Sequence, residues 1–431
     1  MSDRIKIIIL GDGMADLAYM TDKDGRSVRV TTPLEEAKTP EIDALAPSSE
    51  IGLVKTVPDG MKPGSDIANL SVMGYNPLKC YTGRSPLEAV SIGVDMQENH
   101  LVLRCNLVSL GAAASGDKSQ FGERTMKDYS AGEIDTETAR VLITGLAEHF
   151  KKSGRNLMRD FDKGLTGFEP TAFYTGVSYR HCLVIENGAQ GTDYTPPHDI
   201  SGKKIGRYLP RGFYGAAFTA MIKEAYVFLS EHPLNKARVA AGKNPADCIW
   251  LWGEGKKPRL ENFLQKTGKN GAVISAVDLI KGIGIAAGMK IYEVEGATGT
   301  VCTNFAGKAN AVLRAVKDGC GFVYLHIEAA DESGHHGNRA EKILSIEKID
   351  GVVGVIKRGL DGIGKPYSLL ILPDHPTPVS TMTHSSDPVP YLMYSSGENL
   401  SNGVACYCET AAKDGRFLAS GEELFLDFMK R

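Results

Sequence analysis

Three aspartates and three histidines stand where a divalent cation could use them. Asp12 follows the run IKIIIL across one glycine, Asp331 follows FVYLHIE with His335 four residues on, and Asp374 and His375 follow YSLLILP. His384 comes shortly after, in THSSDP. Mixed carboxylate and imidazole donors suit Zn²⁺ or Mn²⁺ better than an all-oxygen ion such as Ca²⁺. Alone, each residue has a plainer use: an aspartate after a strand often forms a turn, and a loop histidine is often only solvated. The spacing of Asp331 and His335 can put both on one helix face, although His336 competes for that position. It is the conjunction that carries the reading.

A candidate nucleophile is Ser65 in PGSDIANLSVMGY, at the expected start of a helix. Free backbone N–H groups and the helix dipole favour an anion there, and a serine beside a cation can accept a phosphoryl group. On local sequence alone a plain N-cap serine is the stronger reading. No Gly-x-Ser-x-Gly elbow and no Walker loop competes, which argues against a P-loop kinase using ATP.

The elements that must position these residues are short apolar runs. Ile5 to Leu10, Phe322 to Ile327 and Tyr367 to Leu372 read as strands buried on both faces, as in a parallel sheet. Between the last two, Ile343, Ile346, Ile349, Val352, Val353, Ile356 and Leu360 keep helical spacing, giving a strand–helix–strand unit. The expected class is α/β, with a mostly parallel sheet flanked by helices and ligands gathering at its carboxyl ends. The middle of the chain is richer in Gly, Pro and Tyr and reads as a second α/β domain inserted into the first. The expected division is 1–97 plus 256–431 for the metal-binding domain and 98–255 for the insert.

The bulk properties exclude several classes. Of 431 residues 42% are hydrophobic and 23% charged, so a sizeable core is expected. A net charge of −3 without a long basic cluster makes nucleic acid an unexpected partner. The N-terminus lacks the features of a secretory signal, and no run reaches membrane-spanning length. The eight cysteines are scattered, mostly in apolar runs, and read as buried free thiols in a cytoplasmic protein.

The stretches LGDGMAD, TPEIDALA, PGSDIANLSVMGY, YTGRSPLEA, LRCNLVS, DYSAGEI, TGVSYRHCLV, PPHDISGK, EHPLNKAR, GATGT, HIEAADESGHHGN, PDHPTP and THSSDPVP occur in that order. Together they resemble, nearly end to end, the archaeal-type cofactor-independent phosphoglycerate mutases of the alkaline phosphatase superfamily. The resemblance implies interconversion of 3- and 2-phosphoglycerate through a phosphoserine at Ser65, with two divalent ions (Mn, Zn, Co or Mg) and neither 2,3-bisphosphoglycerate nor ATP. It implies one metal site from Asp331, His335 and His384, and another from Asp12, Asp374, His375 and the Ser65 oxygen. Substrate-binding residues would map onto Arg84, Arg104, Asn106, Asp128, Arg180, His181, His198 and Lys281, for a small-molecule phosphoglycerate. Where relatives tend to carry basic residues around Asp128, Tyr129 and Glu133 stand here. That departure leaves room for a phosphatase, or for a phosphotransferase acting on another small alcohol such as homoserine.

Overall fold

The strand Ile5–Gly11 lies in the interior of an eight-stranded sheet and is buried along its whole length. It pairs in parallel with Phe322–Ile327 on one side and Tyr367–Leu372 on the other. The full order is Lys290–Ile291, Gly271–Ile274, Phe322–Ile327, Ile5–Gly11, Tyr367–Leu372, Val389–Ser395, Glu50–Val54 and Arg416–Leu418. Only Val389–Ser395 runs against the others. The computed structural model describes residues 4–21, 24–112, 120–153, 169–400 and 403–431.

The three central strands read as mostly apolar runs because both their faces are covered. Ile7, Ile9, Val323, Leu325, Leu369 and Ile371 face the helices Phe305–Lys317 and Arg339–Ile363 in one hydrophobic cluster. Each fully buried Ile or Leu of this kind contributes about 1.5–3 kcal/mol. The helical spacing read from Ile343 to Leu360 is the buried stripe of Arg339–Ile363, which ends at Gly364 in the left-handed region. GAVISAV and DLIKGIGIAAG become the strand Gly271–Ile274 and the helix Asp278–Ala286.

The chain divides into two compact units, Met1–Tyr81 with Arg259–Arg431, and Thr82–Pro258. The division falls earlier than the expected 98–255 because the helix Arg84–Ser91 packs on the strands His100–Leu110 and Cys248–Lys256 of the second unit. That unit is built on an antiparallel sheet, ordered Cys248–Lys256, His100–Leu110, Arg180–Glu186, Glu169–Tyr174, with Met126–Asp128 also on His100–Leu110. The helices Thr136–Ser153 and Gly215–Glu231 belong to it.

All eight cysteines are free, and six are buried as expected. Cys302 and Cys406 are exposed instead, because both sit outside helices and strands rather than in an apolar run. No helix among the described residues is long and apolar enough to cross a membrane.

Candidate metal and phosphoryl-transfer site

Parallel pairing brings distant residues to one sheet edge. Leu10 is opposite both His326 and Leu372, so the three central strands end level with one another. Asp12 follows the first strand, Asp331 sits in the helix Ala329–His335 just beyond the second, and Asp374 and His375 follow the third. All four side chains are buried. Gly13 has φ +62°, and a Cβ there would lie 2.6 Å from the Asp331 Cα, so glycine allows the two acidic segments to meet.

Two donor clusters result. His335 Nε2 is 3.2 Å from Asp331 Oδ2, His384 Nε2 is 3.3 Å from Asp331 Oδ1, and the two imidazole nitrogens are 2.9 Å apart. In the second cluster His375 Nε2 is 3.4 Å from Asp374 Oδ2 and 3.7 Å from Asp12 Oδ1. The clusters adjoin, since His375 and His384 have ring centroids 3.9 Å apart. Donors of one tetrahedral zinc site lie about 3.3 Å from each other, which is close to the spacings around Asp331. His336 caps the end of its helix and is exposed, so the structure brings His335 rather than His336 into the cluster.

The hydrogen bonds behind the rings set their tautomers. His335 Nδ1 lies 3.0 Å from Met382 O, and His384 Nδ1 lies 3.4 Å from Pro63 O. A carbonyl only accepts, so Nδ1 carries a proton in both, and Nε2 is the nitrogen each ring can offer to a cation beside Asp331.

Ser65 is the first residue of the helix Ser65–Val72, but Gly64 is its N-cap. The hydroxyl is therefore not used as a cap. Its Oγ lies 3.3 Å from His375 Nε2, beside the second cluster.

The electrostatics suit cations. Burial, and then the charges of Asp374 and Asp331, hold Asp12 well above the usual carboxylate range. Burial also pushes Asp331 up, but the His335 and His384 rings more than reverse this. His335 is raised to about 9 by its hydrogen bond to Asp331. Asp12 Oδ1 is buried and has no hydrogen-bond partner. Three buried carboxylates, inward-facing imidazole nitrogens and one orphaned oxygen fit divalent ions.

Several residues around the clusters escaped the sequence reading. His326 Nε2 is 2.9 Å from Asp12 Oδ2. Asn69 Nδ2 donates to Asp374 Oδ2 at 2.8 Å while its Oδ1 accepts from Tyr324 OH at 2.6 Å. Thr377 Oγ1 donates to Asp331, and Lys342 Nζ ties Ala15 O to Thr377 O at 2.9 and 2.8 Å. The available signal was a polar residue inside an apolar run, as with His326 in FVYLHI.

In the second unit, Glu88 accepts from Arg84 Nε and Arg104 Nε, each at 2.8 Å. Burial raises the Glu88 carboxyl, but these guanidiniums bring it below its ordinary value. Arg104 also lies over the Trp252 ring, 4.1 Å from its centroid. Asn106 is opposite Arg180 and two residues from Arg104, so all three share one sheet face. Trp252 Nε1 donates to Asn106 Oδ1 at 3.1 Å, and the His198 ring is 5.4 Å from Trp252.

Three of the expected substrate residues make contacts of their own. His181 follows Arg180 in the same strand, so pleating sends it to the opposite face, where it is buried and accepts from Gly176 N at 3.1 Å. The Asp128 carboxylate accepts four hydrogen bonds, from Ser130 N, Ser130 Oγ, Gly132 N and Asn244 Nδ2, and shapes its own loop. That loop places Ala131 and Glu133 at φ 51° and 47°. Lys281, in the first unit, pairs with Glu293 Oε2 at 2.9 Å.

A family model described as 2,3-bisphosphoglycerate-independent phosphoglycerate mutase matches residues 46–235. A Geobacter sulfurreducens protein named probable 2,3-bisphosphoglycerate-independent phosphoglycerate mutase is 44% identical, over 94% of this chain and 94% of its own. A Methanosarcina barkeri protein named 2,3-bisphosphoglycerate-independent phosphoglycerate mutase is 43% identical, over 95% of this chain and 94% of its own. Among solved structures, a Pyrococcus horikoshii protein superposes with a TM-score of 0.75 at 26% identity, covering 99% of this chain and 97% of that one. A cofactor-independent phosphoglycerate mutase from Thermoplasma acidophilum shares the fold, with a TM-score of 0.61 at 22% identity and 99% coverage of both chains. With 43–44% identity to these relatives over 94–95% of its length, the chain belongs to the 2,3-bisphosphoglycerate-independent phosphoglycerate mutase family of enzymes.

Proposed function

We propose that this enzyme interconverts 3-phosphoglycerate and 2-phosphoglycerate through a phosphoserine at Ser65. The observation that carries the reading is the Ser65 hydroxyl, free of any capping role and 3.3 Å from His375 Nε2 beside Asp12 and Asp374.

Asp331, His335 and His384 would hold one divalent ion, and Asp12, Asp374, His375 and Ser65 Oγ the other. When bound, the pair would offset the buried carboxylates and stabilise charge on the attacking and leaving oxygens. Ser65 Oγ attacks phosphorus, the bond from phosphorus to the substrate oxygen breaks, and glycerate is left with a phosphoserine. The other glycerate hydroxyl then attacks the phosphoserine, releasing Ser65. The start of the helix Ser65–Val72 favours the anionic group held there.

Arg84, Arg104 and Arg180 supply the charge that recognises an anionic substrate, with planar donors matched to carboxylate and phosphate. Holding glycerate lets its second hydroxyl, rather than water, meet the phosphoserine. The deciding experiment gives Mn²⁺-loaded protein 3-phosphoglycerate without 2,3-bisphosphoglycerate or ATP and follows the 2-isomer. No isomer from a protein that has taken up metal would reject the reading.

One observation favours a second acceptor. Burial lowers Arg180, but Tyr179, Glu88 and then Glu133 of the DYSAGE loop more than reverse this, which sets an acidic group near that guanidinium. The same assay with homoserine as acceptor tests for phosphoryl transfer to another alcohol.

A further inference from the structure

Asp12 is held at one oxygen only. Its Oδ2 lies 2.9 Å from His326 Nε2, while its Oδ1 is buried and has no hydrogen-bond partner. His326 is itself fully buried in the strand Phe322–Ile327, with Nδ1 3.2 Å from Ser275 Oγ. That hydroxyl already accepts from Val277 N at 2.9 Å.

These contacts assign the protons. Ser275 has one hydrogen to give, and His326 Nδ1 is the acceptor in reach. Nε2 then carries the ring hydrogen and donates it to Asp12 Oδ2. The reverse arrangement would set a nitrogen lone pair against a carboxylate oxygen, and would need a proton on Asp12 that a cation at Oδ1 would displace. Lys308 Nζ bonds His326 O at 3.0 Å, so the end of the strand is tied as well.

We propose that His326, backed by Ser275, is a positioning residue that fixes the Asp12 carboxylate so that Oδ1 is the oxygen offered to a cation at the Asp12–Asp374–His375 cluster. The inference rests on the two-cation reading above. A carboxylate fixed by one oxygen has no rotamer to lose when the other binds, and outer partners of this kind are commonly worth 10–100-fold in metal affinity. The Asp331–His335–His384 cluster makes no contact with His326 of this kind, so the effect falls on one ion.

The test titrates metal-free protein with Mn²⁺ alone and counts bound ions and their affinities by calorimetry and metal analysis. His326→Leu should weaken one of two ions by roughly 10–100-fold and leave the other within about twofold. His326→Gln, whose amide can place an N–H near the Nε2 position, should recover most of the loss. Ser275→Ala should weaken the same ion by a smaller factor. Wild-type affinity at both sites in His326→Leu overturns the proposal, as does equal weakening of both ions in the Leu and Gln variants. Should His326→Leu not fold, Ser275→Ala decides in the same way: one ion weakened supports it, neither or both weakened overturns it. Wild-type protein that takes up no Mn²⁺ removes the two-cation reading and this proposal together, whereas two ions in wild type with unchanged variants removes this proposal alone.

Discussion

The Nε2 atoms of His335 and His384 lie 2.9 Å apart, each with its Nδ1 directed at a backbone carbonyl. That arrangement brings two Nε2 atoms to one point beside Asp331, where a shared cation can take both as ligands. His335→Ala should therefore weaken one bound Mn²⁺ by more than about a hundredfold, since it removes a ligand and not only a supporting partner. His336→Ala should leave metal content and turnover within about twofold, as expected of an exposed change away from the cluster. Metal analysis after dialysis compares them. A larger loss from His336→Ala would reverse the assignment.

Ser65→Ala should lower turnover by about 10³-fold or more, on the scale of other nucleophile deletions. Gly64 holds the N-cap position, so the helix loses no cap and the melting temperature should hardly move. Turnover within tenfold of wild type, measured on purified metal-loaded protein, rules Ser65 out as the nucleophile.

Arg180→Ala and Asp331→Asn should fail in different ways. Asp331 belongs to the donor cluster, so its loss should remove isomer formation and phosphate release together. Arg180 is exposed beside Tyr179 and can hold an anion without taking part in the transfer itself. Its removal should lower isomer formation by about a hundredfold through misplacement of glycerate, while free phosphate rises relative to isomer. Isomer and phosphate measured side by side decide the matter. A loss of both in the same proportion for the two variants contradicts the division of labour.

Glu409 gives a stability prediction away from the clusters. Burial raises its carboxyl to about 7, while it accepts from Thr32 Oγ1 at 2.7 Å and Asp16 N at 3.0 Å. A raised carboxyl means that the folded chain keeps its proton after the unfolded chain has lost it. Stability should thus fall as pH rises from about 4.5 to about 7 and be unaffected by this group beyond, a difference on the order of 3 kcal/mol. Glu409→Gln can accept from Asp16 N through its amide oxygen and donate to Thr32 Oγ1 through its amide nitrogen, and should flatten that part of the profile. Denaturant melts of both proteins at several pH values test it, and parallel profiles would count against the assignment.

The three strands of the site were legible because strands buried on both faces are mostly apolar, and each is followed by a candidate ligand. Their order in the sheet was not legible, since nothing local in IKIIIL says that it lies between FVYLHI and YSLLIL. His326 was hidden by the same apolar run that revealed its strand. Arg180 and His181 looked equivalent as neighbours in SYRH, yet pleating sends them to opposite faces. Nothing in DYSAGEI tells that the Asp128 carboxylate would accept four hydrogen bonds from its own surroundings. That the helix Arg84–Ser91 groups with the second unit was not legible, because it is set by what the helix packs against and not by a change in composition.

The position of Ile5–Gly11 between its two neighbours also bears on how the protein is made. This strand leaves the ribosome well before its partners, which begin at Phe322 and Tyr367. Thr82–Pro258 is synthesised whole in the interval and can fold on its own contacts while Ile5–Gly11 waits. Pairings this distant form slowly, and an unpaired apolar strand is open to aggregation until they do. A nascent chain that stops short of Tyr367 already carries Asp12 and Ser65, yet has neither donor cluster complete.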